Sequence, residues 1–251
     1  MVVVLLSMKA TDWEFTNRAL VFGLIFAGSF PLYSLDRQNS VAALASWLAP
    51  RIGADPDHTA RFLFAFAALL LVMAALLRTW ASAYLEAGVV YASTVKTEDL
   101  VADGPYRHTR NPLYFANILM AIGMGALMSR IGLVAAVVLM GVFSYRLILR
   151  EENELRSNQG EQYQDYAKAV PRLWPSLLPR TVSAGRQPNW RDGFKAESWY
   201  WGFAASSIAF AITLNLKVFF AIFGASIAVF WVSSAVLRKK STGQDPGSMP
   251  R

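Results

Sequence analysis

The sequence predicts an all-α fold, a polytopic integral membrane protein of about six transmembrane helices with no Rossmann domain. Three observations carry that expectation. The chain is 55% hydrophobic and 16% charged, where an ordinary soluble domain is about 45–50% apolar and about 25% charged. Its mean hydropathy is +0.33. Its apolar residues gather into six runs, and no G-x-G-x-x-G turn interrupts them. An aromatic content of 13% argues against disorder. The absence of cysteine excludes disulfides and thiolate metal sites. The two histidines, His58 and His108, lack ligand-like spacing, so no metal is expected.

In chain order the runs are 19–35, 62–77, 113–128, 131–149, 199–214 and 218–237. The second is bracketed by Arg61 and Arg78. Several are shorter than the roughly 20 residues that cross a bilayer core, so flanking cations must snorkel or the bilayer must thin. Between the first two, the apolar stretch 41–48 is too short to span and reads as an interfacial helix ending at Ala49-Pro50. In the third run, Ala121 and Gly125 form a small-x-x-x-small pair suited to close helix packing. The apolar start, 1–6, has no basic flank or small-residue cleavage site and is not expected to be a signal peptide.

The net charge is +7. With both termini placed in the cytoplasm, eighteen Lys and Arg fall on the inner side and five outside, as the positive-inside rule expects. The basic balance is then topological, and no nucleic-acid partner is expected. Buried carboxylates or histidines of the kind pumps use are missing from the runs, where Arg146 is the main ionisable group.

Two polar segments remain for chemistry, both inside. The first holds DGPYRHTRNPLY, 103–114. Asp-Gly-Pro is a turn signal, and Pro112 suits the first turn of a helix. Arg107 and Arg110 before that helix make an electropositive site for a carboxylate or phosphate, or simply a basic loop against lipid headgroups. The second, 151–175, follows the fourth run. Residues 150–158 read as a continued helix with Gly160 as its stop, and 161–169 as a short helix ended by Pro171. Taken singly, Glu152 and Arg156 are an ordinary solvated i, i+4 pair, and Tyr163 and Tyr166 an interfacial belt.

Taken together, GPYRHTRNPLY, a hairpin of two apolar runs, EE-x-x-L, G-x-x-Y-x-x-Y and VPR-x-x-P resemble the isoprenylcysteine carboxyl methyltransferase family, whose relatives include phospholipid methyltransferases. The resemblance covers about 100–175, with VKTEDLV at 95–101 leading into it. It implies S-adenosylmethionine as methyl donor and a lipidic or amphipathic acceptor entering from the bilayer. It also implies a cofactor site of Pro105, Tyr106, Arg110, Asn111, Pro112 and Tyr114 facing Glu151, Glu152, Tyr163 and Tyr166. Arg110, Glu152 and Arg172 are the candidate catalytic residues. Arg110 or Arg172 would pair with the donor's carboxylate, and Glu151 or Glu152 with its ammonium or ribose. The family usually has Arg-His-Pro where this chain has Arg110-Asn111-Pro112; asparagine cannot carry charge or move a proton.

The chain then divides into 1–99 with the first helices, 100–180 as methyltransferase core, and 181–251 as an additional hairpin and basic tail. Membrane lipids are the expected surroundings. The rival expectations are an NADPH-dependent sterol-reductase-like enzyme and a non-enzymatic lipid-binding protein.

Overall fold

The computed structural model describes residues 8–85 and 100–228. The start 1–6, the 95–99 part of VKTEDLV, the end of the last apolar run and the basic tail lie outside them. Among the described residues the fold is helical, without a strand; Asn39 and Ser129 form one isolated β-bridge. The helices are α1 (Asp12–Thr16), α2 (Arg18–Ser29), α3 (Ser40–Ile52), α4 (Pro56–Ala83), α5 (Pro112–Gly125), α6 (Arg130–Ala169), α7 (Trp190–Ala196), α8 (Ser198–Thr213) and α9 (Leu216–Ala228).

Each boundary has a local cause. Thr11 and Glu14 form a capping box at α1. Pro31 opens a tight 3-10 turn, Phe30–Ser34, that ends the first apolar run. Asp55 caps α4 through the N–H groups of Asp57 and His58, with Pro56 at the first helical position. Ser129 caps α6 through Gly132 N. The α3 helix runs through Pro50, past the expected stop, and ends at Gly53 with φ +65°. Its cap, Asn39, also donates to the carbonyls of Ala126 and Met128, which tucks α3 under the α5–α6 turn.

Two described helices, α4 and α6, are long and apolar enough to cross a membrane. The six-span expectation is not confirmed. Pro112–Gly125 has 14 residues, about 21 Å of helix, and Arg18–Ser29 has 12; α9 reaches the last described residue. The physical reason is that turns end α2 and α5 before they reach bilayer length, at Phe30–Ser34 and after Gly125. The two long helices do not behave as soluble core helices. Of their most apolar windows only 28% and 39% is buried within the chain. On α4, Phe62, Phe66, Leu69, Met73 and Leu76 are exposed at a spacing that puts them on one stripe. On α6, Ile131, Val134, Val138 and Val142 form another.

The inward faces pack on small residues. A Cβ on Gly123 would come within 2.7 Å of Leu71 Cγ and 3.0 Å of the Ala67 carbonyl, so α5 and α4 touch through it. A Cβ on Gly125 would collide with Leu133. The core gathers Leu71, Ala74, Met120, Met124, Tyr200 and Phe210 from α4, α5 and α8.

After α6 the chain runs as an extended strap, 171–189, across the turn that precedes α5. Pro171 O accepts from Arg110 N, His108 O from Ser176 N and Arg107 O from Arg180 N, at 2.8–2.9 Å. Arg107 Nε donates to Thr181 O. The buried Asp103 carboxylate accepts from Ser183 Oγ at 2.6 Å, Arg186 N at 2.9 Å and Ala184 N at 3.0 Å. Burial alone would raise its pKa. These donors and the Arg107 charge outweigh burial and hold it below the ordinary aspartate value.

A carboxyl lowered in this way stabilises the fold above its ordinary value, and the contribution is lost as pH falls through the lowered one. Asp103→Ala therefore leaves three donors without their acceptor. It should cost about 1–3 kcal/mol and speed amide exchange at 183–186 at neutral pH. Wild-type exchange there should be steady near neutrality and rise only in acid.

Candidate active site

Two short conformational devices shape the site. Gly104 has φ +57°, and a Cβ there would collide with the Tyr84 ring. Only glycine fits, so Asp103-Gly104-Pro105 turns sharply into the 3-10 turn Gly104–Arg107. Gly160 has φ 52°, ψ −124° inside α6, a region that L side chains rarely adopt. That break turns 161–169 back over the bundle end. Tyr166 OH then donates to Tyr106 O at 2.8 Å, joining the second motif to the first.

Glu152 sits at the centre of the joint and is 2% exposed. It accepts from Asn111 Nδ2 at 3.2 Å and from Arg172 Nε at 3.1 Å. Arg110 Nε lies 3.1 Å away but is not aligned for a hydrogen bond. Arg156 stands at 3.6 Å, half exposed. One buried carboxylate thus faces three guanidinium groups, which leaves the locality electropositive. Asn111 precedes α5 without capping it; its Nδ2 donates to Glu152 and, at 2.9 Å, to Arg172 O. The solvated Glu152–Arg156 pair suggested by spacing is the weakest of these contacts.

Beside this hub lies a cavity of about 520 Å³. Tyr106, Arg110, Asn111, Tyr114, Glu151, Tyr163 and Tyr166 line one end. Pro105, Pro112, Glu152 and Arg172 are not among the lining residues. Arg172 turns instead to Glu152 and to Tyr145 OH at 3.0 Å. Glu151 accepts from Tyr114 OH at 2.7 Å. Arg110 Nη1 donates to Ala167 O at 2.6 Å. Tyr163 is 1% exposed and its hydroxyl has no hydrogen-bond partner. Burial pushes the Tyr106 phenol well above its ordinary pKa and keeps it neutral.

The other end is apolar, with Phe22, Phe26, Met120, Met140 and Phe203. Met140 precedes Glu151 by eleven residues on one helix, about 16 Å, so the cavity runs well up the bundle.

Between the ends lies a network that the sequence reading missed. Arg78 is bidentate to Glu197, through Nε at 2.5 Å and Nη2 at 3.0 Å. Ser82 Oγ donates to the same carboxylate. Arg78 Nη1 and Tyr200 OH both donate to Asn117 Oδ1. From sequence, Arg78 is a cation flanking the second apolar run. The available signal was Asn117, a carboxamide inside an apolar run.

Residues 62–162 match the family model described as phospholipid methyltransferase. The match agrees with the resemblance carried by the motifs and points to a membrane methyltransferase. It stops before Tyr163, VPR and the C-terminal hairpin.

Among curated relatives, the nickel-cobalt-cadmium resistance protein NccN of Alcaligenes xylosoxydans xylosoxydans is 35% identical over 88 residues. The cobalt-zinc-cadmium resistance protein CzcN of Cupriavidus metallidurans is 31% identical over 88 residues. Each alignment covers 35% of this chain and 41% of the relative, so the chain spans about two-fifths of those proteins. No solved structure matches.

Two substitutions test the joint. Glu152→Gln leaves the guanidinium groups without their countercharge. Breaking a buried pair costs about 3–5 kcal/mol, so thermal unfolding in detergent should shift down strongly. Gly160→Ala meets open space and only backbone strain, costing about 1–3 kcal/mol. Limited proteolysis should then open 161–170 before the rest of the chain.

Proposed function

We propose that the chain is an S-adenosylmethionine-dependent membrane methyltransferase, acting on an acceptor with an apolar portion at the cytoplasmic face. The observation that carries the reading is one cavity whose electropositive, tyrosine-rich end is built from the resemblance motifs and whose other end is apolar. The inner placement rests on the excess of Lys and Arg on that side. The relatives' names concern metal resistance and lend kinship without a substrate.

The residues present fit the donor. Tyr163 OH is a buried hydroxyl lacking a partner beside the cavity, and a ligand oxygen or nitrogen would satisfy it. Arg110 stands in surplus positive charge, suited to a carboxylate. Glu151 brings a carboxyl group to the lining, suited to an ammonium or ribose hydroxyls. When bound, the sulfonium supplies a methyl group and leaves as a neutral thioether.

The chain's own work is to hold donor and acceptor in line and to keep water out. The Tyr106, Tyr163 and Tyr166 rings offer faces to a cation, worth about 0.5–2 kcal/mol. Asn111 cannot act as a base and serves to fix Glu152 and the strap. If the acceptor is an amine or thiol, Glu151 is the carboxylate on the described lining able to take its proton. A carboxylate acceptor needs no base.

Calorimetric titration of the detergent-solubilised protein with S-adenosylhomocysteine, with NADPH in parallel, tests the reading. Saturable binding of the first alone is expected. Binding of NADPH alone, or of neither by folded protein, overturns it. Tyr163→Phe removes a hydroxyl unpartnered in the fold, so the melting temperature should hold. Losing one ligand hydrogen bond of about 0.5–1.5 kcal/mol should weaken S-adenosylhomocysteine about two- to tenfold.

A further inference from the structure

The strap 171–189 carries an exposed apolar knuckle that packing does not explain. Leu177 is 97% exposed, Val182 85%, Leu178 74% and Trp174 70%. These side chains do not belong to a loose loop. The backbone beneath them is pinned by the hydrogen bonds to Arg107, His108 and Asp103, so the fold holds them outward. Four large apolar groups kept in water within nine residues are unfavourable, by about 25 cal/mol for each Å2 of apolar surface.

Their place in the fold says what covers them. Trp174 packs edge-on against Phe115, in the first turn of α5, with ring centroids 5.5 Å apart. Asn189 N donates to the carbonyl of Ala83, where α4 ends. The strap therefore lies at the level where α4 ends and α5 begins. Charge points the same way. Arg172 is held by Glu152, and from 173 to 191 the sequence has Arg180, Arg186 and Arg191 and no Asp or Glu. Tryptophan and leucine flanked by arginine are what an anionic lipid interface accepts: rings and alkyl groups at the acyl boundary, guanidinium groups among phosphates.

We infer that the strap is an interfacial anchor, which buries Trp174, Leu177 and Leu178 in the headgroup layer of an anionic membrane and so sets the depth of the cavity beside it. The inference rests on the membrane reading and goes beyond the methyltransferase one.

The chain has no cysteine, so single labels are clean. Leu177→Cys and, separately, Val138→Cys on the outward stripe of α6 are labelled with an environment-sensitive fluorophore. Each is reconstituted in nanodiscs of phosphatidylcholine with or without phosphatidylglycerol. The Leu177 label should be blue-shifted and quenched severalfold more by a shallow acyl-chain spin label than by aqueous iodide. That quenching should grow with phosphatidylglycerol and lose its growth in Arg180→Gln. The Val138 label should be quenched most by a deep spin label. A Val138 label in lipid with a Leu177 label open to iodide overturns the anchor alone. A Leu177 label shielded from both quenchers overturns it in favour of a protein contact. Both labels open to iodide overturn the membrane reading itself. Quenching at Leu177 that ignores phosphatidylglycerol overturns the role given to the arginines.

Discussion

A carboxylate taken out of water has to be surrounded by donors and countercharges, and Glu152 meets that demand with side chains from two separate segments. Asn111 and Arg110 come from the turn before α5, and Arg172 from the chain after α6. The requirement fixes where those segments lie. It draws the start of the strap onto the 103–111 turn, where the backbone hydrogen bonds of 171–180 take over. It also engages the Asn111 Nδ2 group, which donates to Glu152 and to the Arg172 carbonyl together. Removing any one donor would leave the carboxylate short of hydrogen bonds, so the turn, the helix and the strap hold their places together.

The Arg78–Glu197 pair does for the C-terminal hairpin what Glu152 does for the turn. Glu197 is fully buried and binds Arg78 and Ser82 of α4. Asn117 then ties Arg78 to Tyr200. A bidentate guanidinium–carboxylate pair in apolar surroundings is directional, and leaving either partner alone there is costly. The consequence is that α8 adds Trp199, Tyr200 and Phe203 to the cavity lining. A segment outside the family match thereby shares in the cavity that the matched region builds.

Much of the helical fold was legible because its signals are local. Pro112 at the first helical position, Asp-Gly-Pro as a turn and Gly160 as a break each act through the conformations their own residues allow. The apolar runs were legible for the same reason, although turns end those of α2 and α5 well short of spanning length. The strap's docking was not legible. Its anchors are backbone N–H and C=O groups, and nearly every residue type offers those alike.

By itself, the sequence determined the helical composition, the order of the motifs and the positions of the glycines, since these follow from hydropathy and backbone sterics along the chain. Tertiary structure alone decided which polar groups face the cavity and which stand behind it. Glu151 and Glu152 are neighbours in sequence, yet successive residues on a helix point about 100° apart. One therefore lines the cavity and the other closes the joint behind it. Tertiary structure also separated Arg110, at the cavity wall, from Arg172, held away by Glu152 and Tyr145. Burial and partnership depend on what the rest of the chain brings alongside, and no local pattern encodes that.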